Sequence, residues 1–201
     1  MGNVLNLFSP FYYHGEVANH QEVKELLLSE LDESKLSYAS EWNCDVLTSF
    51  ENAANQTGFS WDFFETAVQD NLLDMHMKLH GKPNVSFFMT EAWINVYEQQ
   101  CSQEVHTHSG GDGCCFSCAY FLQYDPEHDA KFGFYNPSQD MHVGDFSKHY
   151  PTNSTWFPDV REGDILIFPS TLHHFVQPQR TDHKRITVSA NFRLKTQYTQ
   201  L

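Results

Sequence analysis

Apolar residues recur with a helical period in the first part of the chain. In one segment they lie one to four positions apart, at Val23, Leu26, Leu27 and Leu31. This spacing predicts a helix over residues 20–33, with Asn19 and Glu22 as a capping box at its start. A second apolar stripe predicts a helix that begins after Ser60, its N-cap, and ends before Gly81.

The pattern changes at Val85, where short apolar runs begin to alternate with turn residues. Each run is rich in β-branched or aromatic residues and is bounded by Gly, Pro, Asp or Asn, which is typical of strands. The predicted strands lie near residues 85–97, 103–108, 115–124, 131–135, 164–168, 172–177 and 184–193. An opening strand is predicted within residues 4–13, and no regular element is predicted within 32–57 or 136–160. Many short strands without helices between them predict an antiparallel sandwich or barrel, with both helices on one outer face.

Length and composition fit one globular domain. A chain of 201 residues that is 40% hydrophobic can bury a core without cross-links. We expect a single domain over residues 1–201, in which 1–84 supply a strand and supporting helices and 85–201 form the β core that carries the site. We expect neither a membrane span nor a signal peptide, because no run is long and apolar enough.

Charge and cysteine content limit the kinds of binding partner and the cellular compartment that we expect. The net charge of −14 predicts no nucleic-acid binding, since an acidic surface repels phosphates. Five cysteines, an odd number, favour reduced thiols in the cytoplasm over a disulfide framework. The group Cys114, Cys115 and Cys118 lies in an apolar run and is interpreted as core rather than as a zinc or redox site. Monomer and homodimer both remain open.

Histidines are unusually frequent, with 12 in the chain and eight of them after residue 100. His106 and His108 lie two residues apart in a predicted strand, where alternate side chains share a face. Two imidazoles so placed can bind one divalent metal; a surface or hydrogen-bonded pair is the alternative. His173 and His174 precede a further apolar segment, and one of them must face away if that segment is extended.

The last predicted strand carries Arg185, Thr187 and Ser189 on one face and apolar residues on the other. An inward-facing guanidinium requires an anionic partner, because an unpaired buried charge is costly. Arginine binds a carboxylate through two parallel hydrogen bonds, and the Thr187 hydroxyl can add another. An internal salt bridge to one of the many acidic residues is the alternative.

Over residues 85–193, these features together resemble the 2-oxoglutarate- and Fe(II)-dependent oxygenases, most closely their prolyl-hydroxylase-like branch. The resemblance implies a double-stranded β-helix core, jelly-roll or cupin-like, packed against N-terminal helices. It implies an Fe(II) centre built from a His-x-Asp/Glu…His pattern, in which His106 matches the first ligand and His174 the distal one. It also implies a set of residues that bind 2-oxoglutarate, namely Arg185, Thr187, Tyr97, Asn95 and Asn191.

The sequence departs from that pattern at His108, which stands where the family has a carboxylate. His108 could complete a three-histidine centre, Asp112 or Glu104 could supply a carboxylate, or the third protein ligand could be missing. Spacing and facing direction favour His108. The predicted metal ligands are therefore His106, His108 and His174, with Asp112 as the alternative carboxylate, and the same histidines with Arg185 form the predicted catalytic set.

The implied activity is that of an oxidoreductase that uses Fe(II), 2-oxoglutarate and O2. Such an enzyme hydroxylates a C–H bond and releases succinate and CO2. The implied substrate is a protein or peptide, prolyl side chains included, or a small molecule. One alternative is a cupin-like three-histidine dioxygenase without 2-oxoglutarate, which has no use for Arg185. The other is a non-catalytic β-sandwich binding module whose histidines are structural.

Overall fold

The structure is a computed structural model that describes residues 10–50, 58–82, 84–108, 114–136, 149 and 153–196. These residues form eleven strands, two α-helices and a short 3-10 turn at Glu33–Lys35. The helices are α1 (His20–Glu30) and α2 (Trp61–Lys78). The strands are β1 (Tyr13–Glu16), β2 (Ser37–Tyr38), β3 (Leu47–Thr48), β4 (Val85–Tyr97), β5 (Gln103–His106), β6 (Phe116–Gln123), β7 (Phe132–Tyr135), β8 (Thr155–Trp156), β9 (Asp164–Pro169), β10 (His174–Val176) and β11 (Arg185–Thr196).

The strands form two antiparallel sheets. The large sheet has the order β1-β9-β6-β11-β4-β3-β2, and the small sheet has the order β5-β10-β7-β8. The seven strands predicted beyond residue 84 all occur, and the prediction of a mainly β protein with flanking helices is confirmed. In the large sheet β11 lies between β4 and β6, so it is buried on both edges.

Consecutive side chains of β11 point to opposite faces of the large sheet, and the two faces have different roles. The apolar set packs against the helices: Ile186, Val188, Ala190 and Phe192. The polar set faces the small sheet: Arg185, Thr187, Ser189 and Asn191. The helix side therefore forms one core, and the polar residues of β11 face a second apolar cluster between the sheets, which includes Phe121, Phe132 and Phe168.

The two helices cover the apolar face of the large sheet. The buried stripe of α2 consists largely of Phe64, Val68, Leu72 and Met75. Neither helix in the described part of the chain is long and apolar enough to cross a membrane.

The predicted capping box is wrong: the Asn19 side chain makes no cap hydrogen bond, and its backbone carbonyl instead accepts from the N–H groups of Glu22 and Val23. Ser60 likewise does not cap α2 with its side chain but donates to Glu30 at the end of α1.

Three strands were not predicted because each is only two residues long. The strands β2 and β3 lie within 32–57 and β8 lies within 136–160, both expected to lack regular structure. Two residues are too few for an alternating pattern to be visible. The predicted opening strand falls mostly on residues outside the described part; the strand found there, β1, begins at Tyr13 and pairs with β9.

The cysteine-rich segment lies in β6 and immediately before it. Cys118 is buried among the core residues that face the helices, in agreement with its interpretation as a small core residue. Cys114 is partly buried and Cys115 is exposed, so the interpretation as core is wrong for these two, which precede the strand. All five cysteines are free.

Replacing Phe64 by alanine is expected to lower the free energy of unfolding by about 3–5 kcal/mol. Its side chain is fully buried, and its ring centroid lies 5.5 Å from that of Tyr120 on β6. Leu73→Ala on the exposed side of the same helix serves as the control and is expected to change stability by less than about 0.5 kcal/mol. Urea denaturation measures both; equal losses would mean that α2 does not pack on the sheet through Phe64.

Candidate metal centre

Three histidines converge at the edge of the small sheet. His106, the last residue of β5, lies directly opposite His174, the first residue of β10. His108 follows two residues after His106, and its backbone N–H donates to the carbonyl of Ser170 at 2.8 Å. One ligand atom of each imidazole lies within 4.8 Å of the others, so the cluster could hold one metal ion. Within the described ranges, no carboxylate or thiol joins this cluster.

Each of these imidazoles has its Nδ1 occupied by a hydrogen bond. The Nδ1 of His106 lies 2.8 Å from the carbonyl oxygen of Glu104, and that of His174 lies 2.9 Å from the carbonyl oxygen of Leu172. Carbonyl oxygens only accept, so Nδ1 carries the proton in both rings and Nε2 keeps its lone pair. The Nδ1 of His108 lies 2.8 Å from Oδ1 of Asn191, an acceptor of the same kind. All three rings thus present Nε2 for a metal.

Burial keeps these histidines uncharged. It lowers the pKa of His106, lowers that of His108 to about 4, and holds that of His174 well below its ordinary value. The rings of Phe132 and Phe168 flank His174 at centroid distances of 5.6 and 4.7 Å. Because a metal binds neutral imidazole, the protonation state of the cluster suits a cation.

The two carboxylates considered as alternative ligands are placed differently. Glu104 turns away from the cluster, and its Oε1 accepts from the backbone N–H of Asn43 at 2.9 Å. Asp112 lies outside the described residues. The described part of the chain therefore presents a three-histidine cluster.

The histidines line a cavity that also reaches Arg185. Arg185 is fully buried at the start of β11, with its Cζ 4.4 Å from the ring centroid of Tyr97 and 5.6 Å from that of Phe121. Its Nε and Nη1 have no hydrogen-bond partner among the described residues. The internal salt bridge considered as an alternative is therefore not formed with any described carboxylate.

A carboxylate-bearing ligand fits this arrangement. A buried guanidinium with unsatisfied N–H groups costs several kcal/mol, a cost that a bound carboxylate removes through two charge-assisted hydrogen bonds. Thr187 lines the same cavity and offers a hydroxyl. A ligand with one carboxylate at Arg185 and a metal-binding end at the histidines would satisfy both ends of the cavity, which is the requirement that 2-oxoglutarate meets.

The remaining predicted cosubstrate residues divide into two groups. Tyr97 lines the cavity and donates from its hydroxyl to Oε1 of Gln103 at 2.8 Å. Asn95 and Asn191 lie on the same sheet face but outside the cavity lining. Asn95 donates to the Ser189 hydroxyl at 3.1 Å, and its Oδ1 has no partner within the described part of the chain. The amide of Asn191 contacts His108.

The structure also shows which adjacent histidine faces the site and which residues the sequence reasoning missed. His174 is 4% exposed and belongs to the cluster, while His173 faces outward, as an extended segment requires.

Trp93 was not predicted as a site residue; it lines the cavity with its ring centroid 5.4 Å from that of His108. Its position two residues before Asn95 on the same strand is the pattern that could have identified it. Other lining residues that were not predicted as part of the site are Gln103, Cys118, Ala119, Phe168, Val176 and Ser189.

Comparisons with solved structures identify the fold. A prolyl-4-hydroxylase from Pseudomonas putida superposes with a TM-score of 0.60 at 14% identity, covering 92% of this chain and 93% of that chain. HygX from Streptomyces hygroscopicus, crystallised with nickel, 2-oxoglutarate and hygromycin B, gives 0.58 at 15% identity, covering 91% and 82%. A prolyl hydroxylase from Trichoplax adhaerens, in complex with a hypoxia inducible factor peptide fragment, gives 0.60 at 13% identity, covering 90% and 82%. The likeness confirms the predicted jelly-roll core.

Sequence comparison identifies the family. No protein with a curated description matches the chain. A profile of the family described as "Putative 2OG-Fe(II) oxygenase" matches residues 91–191, half of the chain, which include the three histidines and Arg185. The chain therefore belongs to the 2OG-Fe(II) oxygenases, a family of enzymes that use Fe(II) and 2-oxoglutarate.

Proposed function

We propose that the protein is a non-haem Fe(II)- and 2-oxoglutarate-dependent dioxygenase that hydroxylates a C–H bond and releases succinate and CO2. The observation that carries the proposal is one cavity lined by three neutral imidazoles and by a buried guanidinium, two of whose nitrogens have no hydrogen-bond partner among the described residues. The cupin-like alternative has no role for Arg185, and a binding module has no need of three convergent Nε2 atoms.

The proposed metal ligands are His106, His108 and His174, each through Nε2. Their Nδ1 hydrogen bonds hold the rings in the tautomer that leaves Nε2 free to bind. Three protein ligands would leave coordination positions for the cosubstrate and O2, as non-haem Fe(II) oxygenase sites require. When bound, Fe(II) with 2-oxoglutarate and O2 supplies the oxidising chemistry.

The proposed cosubstrate residues act at the other part of the cavity. Arg185 binds the far carboxylate of 2-oxoglutarate through two N–H groups on one edge of its guanidinium, and Thr187 adds a hydroxyl. The guanidinium Cζ lies 4.4 Å from the centroid of the Tyr97 ring, and this cation–π contact helps to orient the guanidinium. Asn95, whose buried Oδ1 has no partner in the ranges that the structure describes, is the remaining candidate for a polar contact. Phe132 and Phe168 exclude water from the reacting centre.

The proposed substrate is a protein or peptide side chain, prolyl included, or a small molecule. The Trichoplax relative in fold is a prolyl hydroxylase bound to a peptide fragment, and HygX was crystallised with hygromycin B, so the fold accommodates both kinds. The net negative charge and the absence of disulfides support a cytoplasmic protein that does not bind nucleic acid.

Anaerobic addition of Fe(II) and then 2-oxoglutarate tests the proposed activity. We expect the weak visible charge-transfer band of the Fe(II)–2-oxoglutarate chelate, because the site brings both into one cavity. Admission of air should then yield succinate, measured by NMR. The protein without Fe(II) is the control. Absence of both the band and succinate formation would contradict the proposal.

The His174→Ala variant is expected to lose measurable Co(II) binding, because it removes a buried ligand from the cluster. His173→Ala is the matched control, since it deletes the adjacent outward-facing imidazole, and its Co(II) affinity should stay close to that of the unmodified protein. Isothermal titration calorimetry measures both affinities. Equal losses in the two variants would show that His174 has no special place in the metal site.

Replacing Arg185 by glutamine is expected to raise the Kd for 2-oxoglutarate by about 30-fold or more, because it removes one partner of a buried charge pair. Co(II) affinity should be retained, since no histidine depends on Arg185. Arg193→Gln on the same strand is the control; Arg193 lies outside the cavity lining and should not affect either ligand. An unchanged Kd in Arg185→Gln would rule out the proposed carboxylate contact.

A further inference from the structure

We infer that Glu91 sets the tautomer of His108, acting through Asn191, and thereby keeps the third histidine able to bind a metal. The inference rests on the proposed function in that His108 is taken as a ligand. It concerns two side chains, on β4 and β11, that do not contact the metal position themselves. They are positioning residues for a ligand that replaces the usual carboxylate.

A continuous chain of hydrogen bonds links the three residues. Asn191 lies opposite Glu91 in the β4–β11 ladder, and its Nδ2 donates to Oε1 of Glu91 at 2.6 Å. Its Oδ1 lies 2.8 Å from Nδ1 of His108. The asparagine is 3% exposed, so water does not replace either contact.

Glu91 determines the orientation of the Asn191 amide and therefore the donors and acceptors in these hydrogen bonds. A carboxylate oxygen accepts hydrogen bonds and does not donate them, so the NH2 group of Asn191 must face Glu91. The amide oxygen must then face His108, which can meet it only with a protonated Nδ1. Nε2 of His108 is left with its lone pair. With the amide reversed, an NH2 group would face Nδ1 and would stabilise the tautomer that is protonated at Nε2, which cannot bind a metal through that atom.

Ser117 also contacts the Asn191 amide, but it does not determine which way the amide faces. The hydroxyl of Ser117 lies 2.6 Å from Oδ1 of Asn191 and 2.9 Å from the hydroxyl of Ser170. A hydroxyl can either donate or accept, so this pair is compatible with both orientations of the amide. Among the polar groups that contact the Asn191 amide in the described residues, Glu91 is the one that accepts and cannot donate.

His108 differs in this respect from the other two histidines. The Nδ1 atoms of His106 and His174 face backbone carbonyl oxygens two residues before them, which no side-chain substitution can reverse. His108 alone among the three depends on a side-chain amide, whose oxygen and nitrogen ends are nearly equal in shape. Only this ligand therefore needs a third residue to specify its tautomer.

The Glu91→Gln variant tests the inference, because glutamine keeps the size and the hydrogen bond but can donate as well as accept. In the metal-free protein, two-bond 1H–15N correlation spectra report the His108 tautomer, with His108→Ala used to assign the signals. We expect the unmodified protein to show protonation at Nδ1 and the variant to populate the Nε2-protonated form. The Kd for Co(II) should rise about tenfold or more, the scale of losses at residues that orient metal ligands.

Two further variants support the comparison. Asn191→Leu removes the acceptor altogether and should weaken Co(II) binding about 10- to 100-fold. Glu65→Gln is the matched control, because Glu65 also accepts a hydrogen bond from β4, at the backbone N–H of Met89, without contacting Asn191. It should leave both the His108 tautomer and the Co(II) affinity unchanged.

The two readouts separate failure of the inference from failure of the proposed function. If the unmodified protein binds Co(II) and Glu91→Gln changes neither the tautomer nor the affinity, the inference is wrong and the proposed function stands. If the unmodified protein does not bind Co(II), the proposed function fails. The spectra of the metal-free protein still decide whether Glu91 sets the tautomer.

Discussion

The alternation of side chains along β11 is the constraint on which the rest of the structure depends. Because neighbouring residues of a strand point to opposite faces, one strand supplies both the apolar surface that receives the helices and the polar surface that faces the small sheet. Shifting its register by one residue would place Arg185 in the helix-facing core and Ile186 in the cavity. The long pairing of β11 with β4, from Arg185 to Thr196, prevents that shift.

Burial leaves the histidine end of the cavity neutral and the Arg185 end positively charged. A buried histidine can lose its proton, and the lowered pKa values of His106, His108 and His174 reflect this. A buried arginine cannot, since its pKa is too high for deprotonation in proteins. The same dry environment therefore yields neutral donors for a cation at one end and a permanent positive charge for an anion at the other.

The sequence was sufficient to predict the parts of the site that follow from spacing within one strand. The shared face of His106 and His108 and the inward face of Arg185 follow from period-two alternation. Alternation requires only that one of His173 and His174 face the site, and the family resemblance selected His174. The contact of Asn191 with His108 joins residues 83 positions apart. The alternation of apolar and polar residues within one strand cannot predict such a contact. The capping box failed for a related reason: Asn19 has a suitable side chain, but its local geometry leaves the backbone to make the contacts.

The three histidines do not all belong to the same structural layer. His106 and His174 are paired within the small sheet, whereas His108 is fixed through Asn191 to β11 of the large sheet. An ion bound to all three would therefore cross-link the two sheets. Opening the space between the sheets would break a metal–ligand bond, and loss of the ion would weaken the packing of one sheet on the other. Occupancy of the centre would thus be linked to the folding equilibrium of the whole sandwich.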